Sequence, residues 1–110
     1  MIRLIGGAVV AASLGAAGVA LAAEPIEVTI SVKDHKFDPS EIQAPPDTPV
    51  KVTVKNLDAK PMEFESSTLR FEKMVTGNGQ VTLTIRGQKP GTYEFYDDFH
   101  DETRGTLVVK

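Results

Sequence analysis

The chain contains no cysteine and no tryptophan among its 110 residues. Without a thiol there is no thiolate metal ligand, no redox disulfide and no cysteine nucleophile. A domain this small therefore holds together by its core and not by covalent cross-links. Histidine is scarce, with two residues, His35 and His100. Basic residues are also few: 12 Lys and Arg stand against 15 Asp and Glu, and the basic ones form no cluster. That balance argues against nucleic acid and against an anionic membrane surface as partners. No Ser-His-Asp spacing or nucleophile motif is present, which argues against a hydrolase.

Charge is missing altogether from Leu4 to Ala22, a run of Leu, Ile, Val, Ala, Gly and Ser behind the basic start Met1-Ile2-Arg3. Ala20-Leu21-Ala22 is an A-x-A cleavage pattern, with Glu24 and Pro25 just beyond it. This layout predicts a secretory signal peptide over 1–22 and one mature domain over 23–110. The competing reading is an N-terminal membrane anchor; the many Ala and Gly residues argue against it. The lack of cysteine excludes a lipid anchor at the cut. The mature domain is therefore expected to be exported.

What the mature chain does have is alternation with a period of two. Ile26, Val28, Ile30 and Val32 alternate with polar residues. So do Val50, Val52 and Val54, then Val81, Leu83 and Ile85, and finally Leu107 and Val109. These are half-buried strands, and their Val and Thr content suits them to a sheet. Turn signals separate them at Asp38-Pro39-Ser40, Pro45-Pro46-Asp47, Asn56-Leu57-Asp58, Gly77-Asn78-Gly79 and Lys89-Pro90-Gly91. The stretch Ser66–Lys73 fits either one helical turn or a loop followed by a strand. The class is all-β, a sandwich or barrel.

Chemistry-bearing residues gather in two places, Met62-Glu63-Phe64-Glu65 and Asp97-Asp98-Phe99-His100-Asp101-Glu102. The second holds five potential metal-binding side chains in six positions, which repel one another unless a cation or Arg104 offsets them. Each residue also has a plainer reading. A histidine in a polar loop is commonly just solvated, an acidic run is commonly a loop tip, and a methionine is commonly core filler.

Gly91-Thr-Tyr-Glu-Phe-Tyr96, one residue at the ligand position, then His100 and Gly105-Thr-Leu-Val-Val109, resembles the end of a cupredoxin. Phe37-Asp-Pro39 and Pro49-Val-Lys-Val-Thr-Val-Lys-Asn56 resemble the family's upstream strands. The resemblance implies a cupredoxin-like Greek-key β-sandwich of about seven to eight strands. It also implies metal ligands at His100 and Asp97, with Asp97 standing where the copper-binding cysteine would be. Glu63 and Met62 fall where the first histidine would be, and the usual methionine before Gly105 is missing. Further candidates are Asp98, Asp101 and Glu65, with Glu72 and His35 outside them; His35 reads as surface or as a separate site at the opposite edge. Blue-copper chemistry is excluded, and a hard donor set of carboxylates and imidazole suits copper or iron ions.

Met62–Glu65, Arg70–Val75 and the stretch from Asp97 to Val109, a loop over Asp97–Arg104 followed by the closing strand, look most like the cupredoxin-like component of bacterial periplasmic ferrous-iron uptake systems. That resemblance implies a periplasmic iron-binding protein and an inner-membrane iron permease as partners, and a role in Fe(II) oxidation or in iron and copper handling. The alternative is a metal-free sandwich that docks on a periplasmic partner through its acidic loop.

Overall fold

The computed structural model describes residues 24–110. The signal peptide expected over 1–22 lies outside the described residues. Nine strands are present among them: β1 Ile26–Lys33, β2 Lys36–Asp38, β3 Glu41–Ala44, β4 Val50–Asn56, β5 Met62–Ser66, β6 Phe71–Val75, β7 Gln80–Ile85, β8 Gly91–Asp97 and β9 His100–Val109. They form a five-stranded sheet in the order β3-β9-β8-β5-β6 and a four-stranded sheet in the order β2-β1-β4-β7. The chain crosses repeatedly between the two, the topology of a Greek-key sandwich.

The strand count exceeds the expected seven to eight. The turn at Pro39-Ser40 divides one stretch into β2, which stays with β1, and β3, which joins the other sheet. Residues 67–70 form a turn leading into β6, so of the two readings for Ser66–Lys73 the strand holds.

Alternation decides which side chains meet between the sheets. In β4, Val50, Val52 and Val54 are buried while Lys51 and Lys55 are exposed. β1 pairs with β4 in parallel from Ile26 opposite Val50 to Val32 opposite Asn56. Three phenylalanines centre the core. Phe37 meets Phe64 and Phe95 edge-on at 5.9 and 5.2 Å, and Phe71 stacks on Phe64 at 5.0 Å. The edge-to-face arrangement suits aromatic quadrupoles.

The β8–β9 connection is tighter than the sequence suggests. An open loop is expected from Asp97 to Arg104. Instead β8 runs through Asp97, only Asp98 and Phe99 form the turn, and β9 begins at His100 directly opposite Asp97. The surplus residues are absorbed by a register shift between His100 and Arg104, a bulge within the strand.

Candidate metal centre

Asp97 ends β8 with its side chain turned inward and 1% exposed. A carboxylate taken from water must be hydrogen-bonded to persist, and this one is. Its Oδ1 accepts the backbone N–H of Glu63 at 3.0 Å and that of Phe99 at 2.9 Å. Its Oδ2 lies 2.8 Å from Nδ1 of His100. An ionised carboxylate only accepts, so Nδ1 carries the hydrogen. In the neutral ring the lone pair then sits on Nε2. Asp97 thereby closes the β8–β9 turn, joins it to β5 and fixes the tautomer of His100. The His100 side chain is 29% exposed, so the ring is held from inside and open at its outer edge.

Against that ring lies His35, with ring centroids 3.9 Å apart and planes tilted by 39°. The sequence places His35 at the surface or at an opposite edge. It is exposed, but the two-residue turn joining β1 to β2 brings it to the same end of the sandwich as His100. Both turn residues have left-handed backbones, Asp34 at φ 52° and His35 at φ 61°. Two consecutive positive φ values are what the right-handed twist of a tight hairpin demands.

Three residues outside the expected set hold this turn. Asp58 accepts the backbone N–H groups of Asp34 at 2.8 Å and His35 at 3.2 Å. Those donors, the Asp34 amide first, keep the Asp58 carboxyl below its ordinary pKa against a smaller opposing effect of desolvation; the His35 and His100 rings act in the same direction. Asn56, buried at the end of β4, accepts the Asp58 N–H at 3.0 Å and donates to the Lys60 carbonyl at 2.7 Å. From the other side, the buried Thr103 hydroxyl donates to the His35 carbonyl at 2.6 Å. The sequence signal for the turn is Lys33-Asp34-His35-Lys36 between two apolar runs, with Asp and His where hairpins usually place Asn and Gly.

Glu63 and Met62 separate by strand parity. Met62 points inward and is 2% exposed among core side chains. Glu63 points to the outer face of the sheet, where ligand oxygens of Glu63, Glu65 and Glu72 all lie within 4.8 Å of one another. Glu65 stands directly opposite Glu72 across β5 and β6. One Glu65 oxygen accepts from the Tyr96 hydroxyl at 3.3 Å; the other, Oε1, is buried without a partner. Desolvation, then the hydrogen bond and repulsion from Glu72, then Glu65 and Asp98, push the Glu63 carboxyl up to about 7. Asp98 and Asp101 are exposed. Arg104 does not offset them through their carboxylates: it donates to the Asp101 carbonyl and pairs with Glu94 at 2.9 Å.

A two-sheet Greek-key sandwich with a histidine in its last hairpin defines a class, and the family comparison agrees. The model of the cupredoxin-like domain matches residues 5–109. This chain belongs to the cupredoxin-like domain family. An uncharacterized protein of Rickettsia prowazekii (strain Madrid E) is 38% identical over 85 residues, 76% of this chain and 68% of that one. Among solved structures, the metal-binding domain of the Cu(I)-exporting P-type ATPase of Streptococcus pneumoniae D39, with Cu(I), aligns at a TM-score of 0.68 and 14% identity, over 80% of this chain and 94% of that one. Auracyanin A, a "blue" copper protein from Chloroflexus aurantiacus, aligns at 0.66 and 17%, over 78% and 99%. A purple cupredoxin from Nitrosopumilus maritimus aligns at 0.57 and 18%, over 77% and 99%. At these identities the structural likeness is one of fold.

Copper held through a thiolate does not fit this chain, because no cysteine exists to supply it. A divalent ion held by nitrogen or oxygen fits the chemistry of the donors present, which are an imidazole fixed by a buried carboxylate and, as a separate group on the outer face of the sheet, three glutamates. Among the described residues no helix is long and apolar enough to cross a membrane.

Proposed function

We propose that this is a periplasmic metal-binding protein of an iron transport system, which assists Fe(II) oxidation or handles iron and copper for a permease. The observation that carries the reading is the Asp97–His100 unit. A buried carboxylate fixing an imidazole through Nδ1 is how proteins prepare histidine to bind a metal through Nε2. It stands in the hairpin where the fold's copper-binding members are resembled, with aspartate at the cysteine's place. In this reading His100 is a ligand, Asp97 orients it, and Glu63 with its carboxylate neighbours offers hard oxygen donors suited to iron as cargo. Met62 is the one soft donor of the set, and its burial keeps it in a packing role. A bound Cu(II) would supply a one-electron acceptor for Fe(II). Export and the partners, a periplasmic iron-binding protein and an inner-membrane iron permease, are part of the same proposal and rest on the sequence resemblance.

The test is titration of the metal-free protein with Cu(II) and Fe(II), followed by Fe(II) oxidation assays with and without added Cu(II). Binding of either ion by the wild type and its loss in His100→Ala are the expected results. Binding that survives His100→Ala shows that the ion is not held by the Asp97–His100 unit; no binding at all defeats the metal reading and favours a docking module. Binding without oxidation under either condition removes the redox role and leaves handling of the ion.

A further inference from the structure

The proposed site as described has one positioned imidazole. We infer that His35 is its second nitrogen ligand, so that His35 and His100 together form a two-imidazole port for a divalent transition-metal ion. This deepens the preceding reading and rests on it.

Three observations carry the inference. First, the rings stand 3.9 Å apart, tilted and not fully stacked. Metal–nitrogen bonds of about 2.0–2.1 Å place two neighbouring imidazole nitrogens about 3 Å apart, so two rings already in contact reach one ion by turning about their side-chain torsions until a nitrogen of each faces it. Second, the His35 backbone is held from two directions. Asp58 takes its N–H and that of Asp34, and Thr103 takes its carbonyl. These anchors come from the β4–β5 loop and from the bulge in β9, so the turn is fixed to the element that carries His100. Asp97 fixes His100 from beneath. Each ring is thus carried on a positioned backbone, as ligands must be if metal binding is not to carry the full entropy of ordering them.

Third, His35 occupies a backbone conformation that a side chain disfavours. With φ at 61° in the second turn position, glycine is the residue that meets least resistance. A non-glycine residue retained in such a conformation by a surrounding frame points to a use for its side chain. The ring is exposed, its hydrogen-bonded anchors are on the backbone, and the aromatic ring it meets is that of His100, which is the placement a second ligand needs.

The same strain supplies the experiment. His35→Gly removes the ring and relaxes the turn, while leaving the N–H to Asp58 and the carbonyl to Thr103. Metal-free wild type, His35→Gly and His100→Ala are titrated with Cu(II) by calorimetry, and the loaded forms are examined by electron paramagnetic resonance for nitrogen superhyperfine structure. The wild type is expected to bind Cu(II) with a two-nitrogen pattern. His35→Gly is expected to show one nitrogen and at least a tenfold weaker affinity, with a melting temperature equal to or above that of the wild type. Unchanged affinity and an unchanged two-nitrogen spectrum in His35→Gly overturn the inference while leaving the His100 site standing, provided His100→Ala loses the ion. Wild type that takes up no Cu(II) overturns the inference, and overturns the preceding reading as well if it takes up no Fe(II). A melting temperature below that of the wild type means that the ring serves the fold, and this too overturns the inference.

Discussion

At the scale of single residues, Asp97 shows how one buried carboxylate organises the end of a sandwich. A carboxylate is an acceptor with capacity to spare, and here both oxygens face inward. One ties together two backbone amides and the other ties a histidine. Hydrogen bonds to a charged group contribute roughly 1.5–3 kcal/mol each, and an orphaned buried donor adds its own desolvation cost. Asp97→Ala is therefore expected to lower unfolding free energy by about 3 kcal/mol or more, read from urea denaturation. Asp97→Asn separates structure from metal chemistry. Its amide oxygen still serves the Glu63 and Phe99 N–H groups, but its NH2 now faces His100 and favours the tautomer with hydrogen on Nε2. The expected result is a loss of stability below that of the alanine variant, with metal affinity down about 10- to 100-fold. Equal metal affinity in Asp97→Asn and wild type would show that the tautomer does not matter. Asp58→Asn, by the same reasoning, weakens the His35 turn and lowers melting temperature modestly, without touching the His100 pair.

At the scale of elements, the β8–β9 hairpin joins core and site. Gly105 follows the bulge, opposite Phe95, and a Cβ there would collide with the Phe95 ring and with the Ser40 carbonyl, which accepts the Thr106 N–H at 2.8 Å. Overpacking of this kind costs about 1–3 kcal/mol, so Gly105→Ala is expected to shift the urea midpoint downward; an unchanged midpoint would mean that the core yields freely around Phe95. The strands themselves are legible in the sequence because Val and Ile at every second position have one stable arrangement, with one face buried. So is the separation of Met62 and Phe64 from Glu63 and Glu65, which is parity alone. The tight turn after Asp97 is not legible, since an acidic run has the composition of a loop whether or not one carboxylate folds back to close it. Nor is the pairing of His35 with His100. It depends on β1–β2 and β8–β9 ending on the same side of the sandwich, and on Asp58 and Thr103, whose roles come from sheet pairing and have no local signature.

At the scale of the whole molecule, two carboxyl groups pull the pH dependence of stability in opposite directions, and the sign of each follows from its shift. Asp58 is more acidic in the folded protein than in the unfolded chain, whose value is near 3.8. Its contribution is present above that value and disappears as pH falls through the lower folded one. Glu63 is shifted the other way, from an ordinary 4.5 to about 7. Its folded form holds a proton that the unfolded chain has already released, so stability is highest below about 4.5 and declines as pH rises towards 7. Together they place the optimum of the metal-free protein on the acidic side of neutrality, between the two transitions. Melting temperatures from pH 3 to 9 should rise over the first limb and fall over the second. Glu63→Gln keeps a hydrogen-bonding partner for Glu72 and removes the charge that Glu65, Glu72 and Asp98 oppose. It should raise the melting temperature at pH 8 and flatten the limb between pH 4.5 and 7, leaving the acid limb intact. If the wild type shows no decline between pH 4.5 and 7, the Glu63 carboxyl is not held protonated by its neighbours, and the crowding of carboxylates on the outer face of β5 and β6 is relieved by solvent.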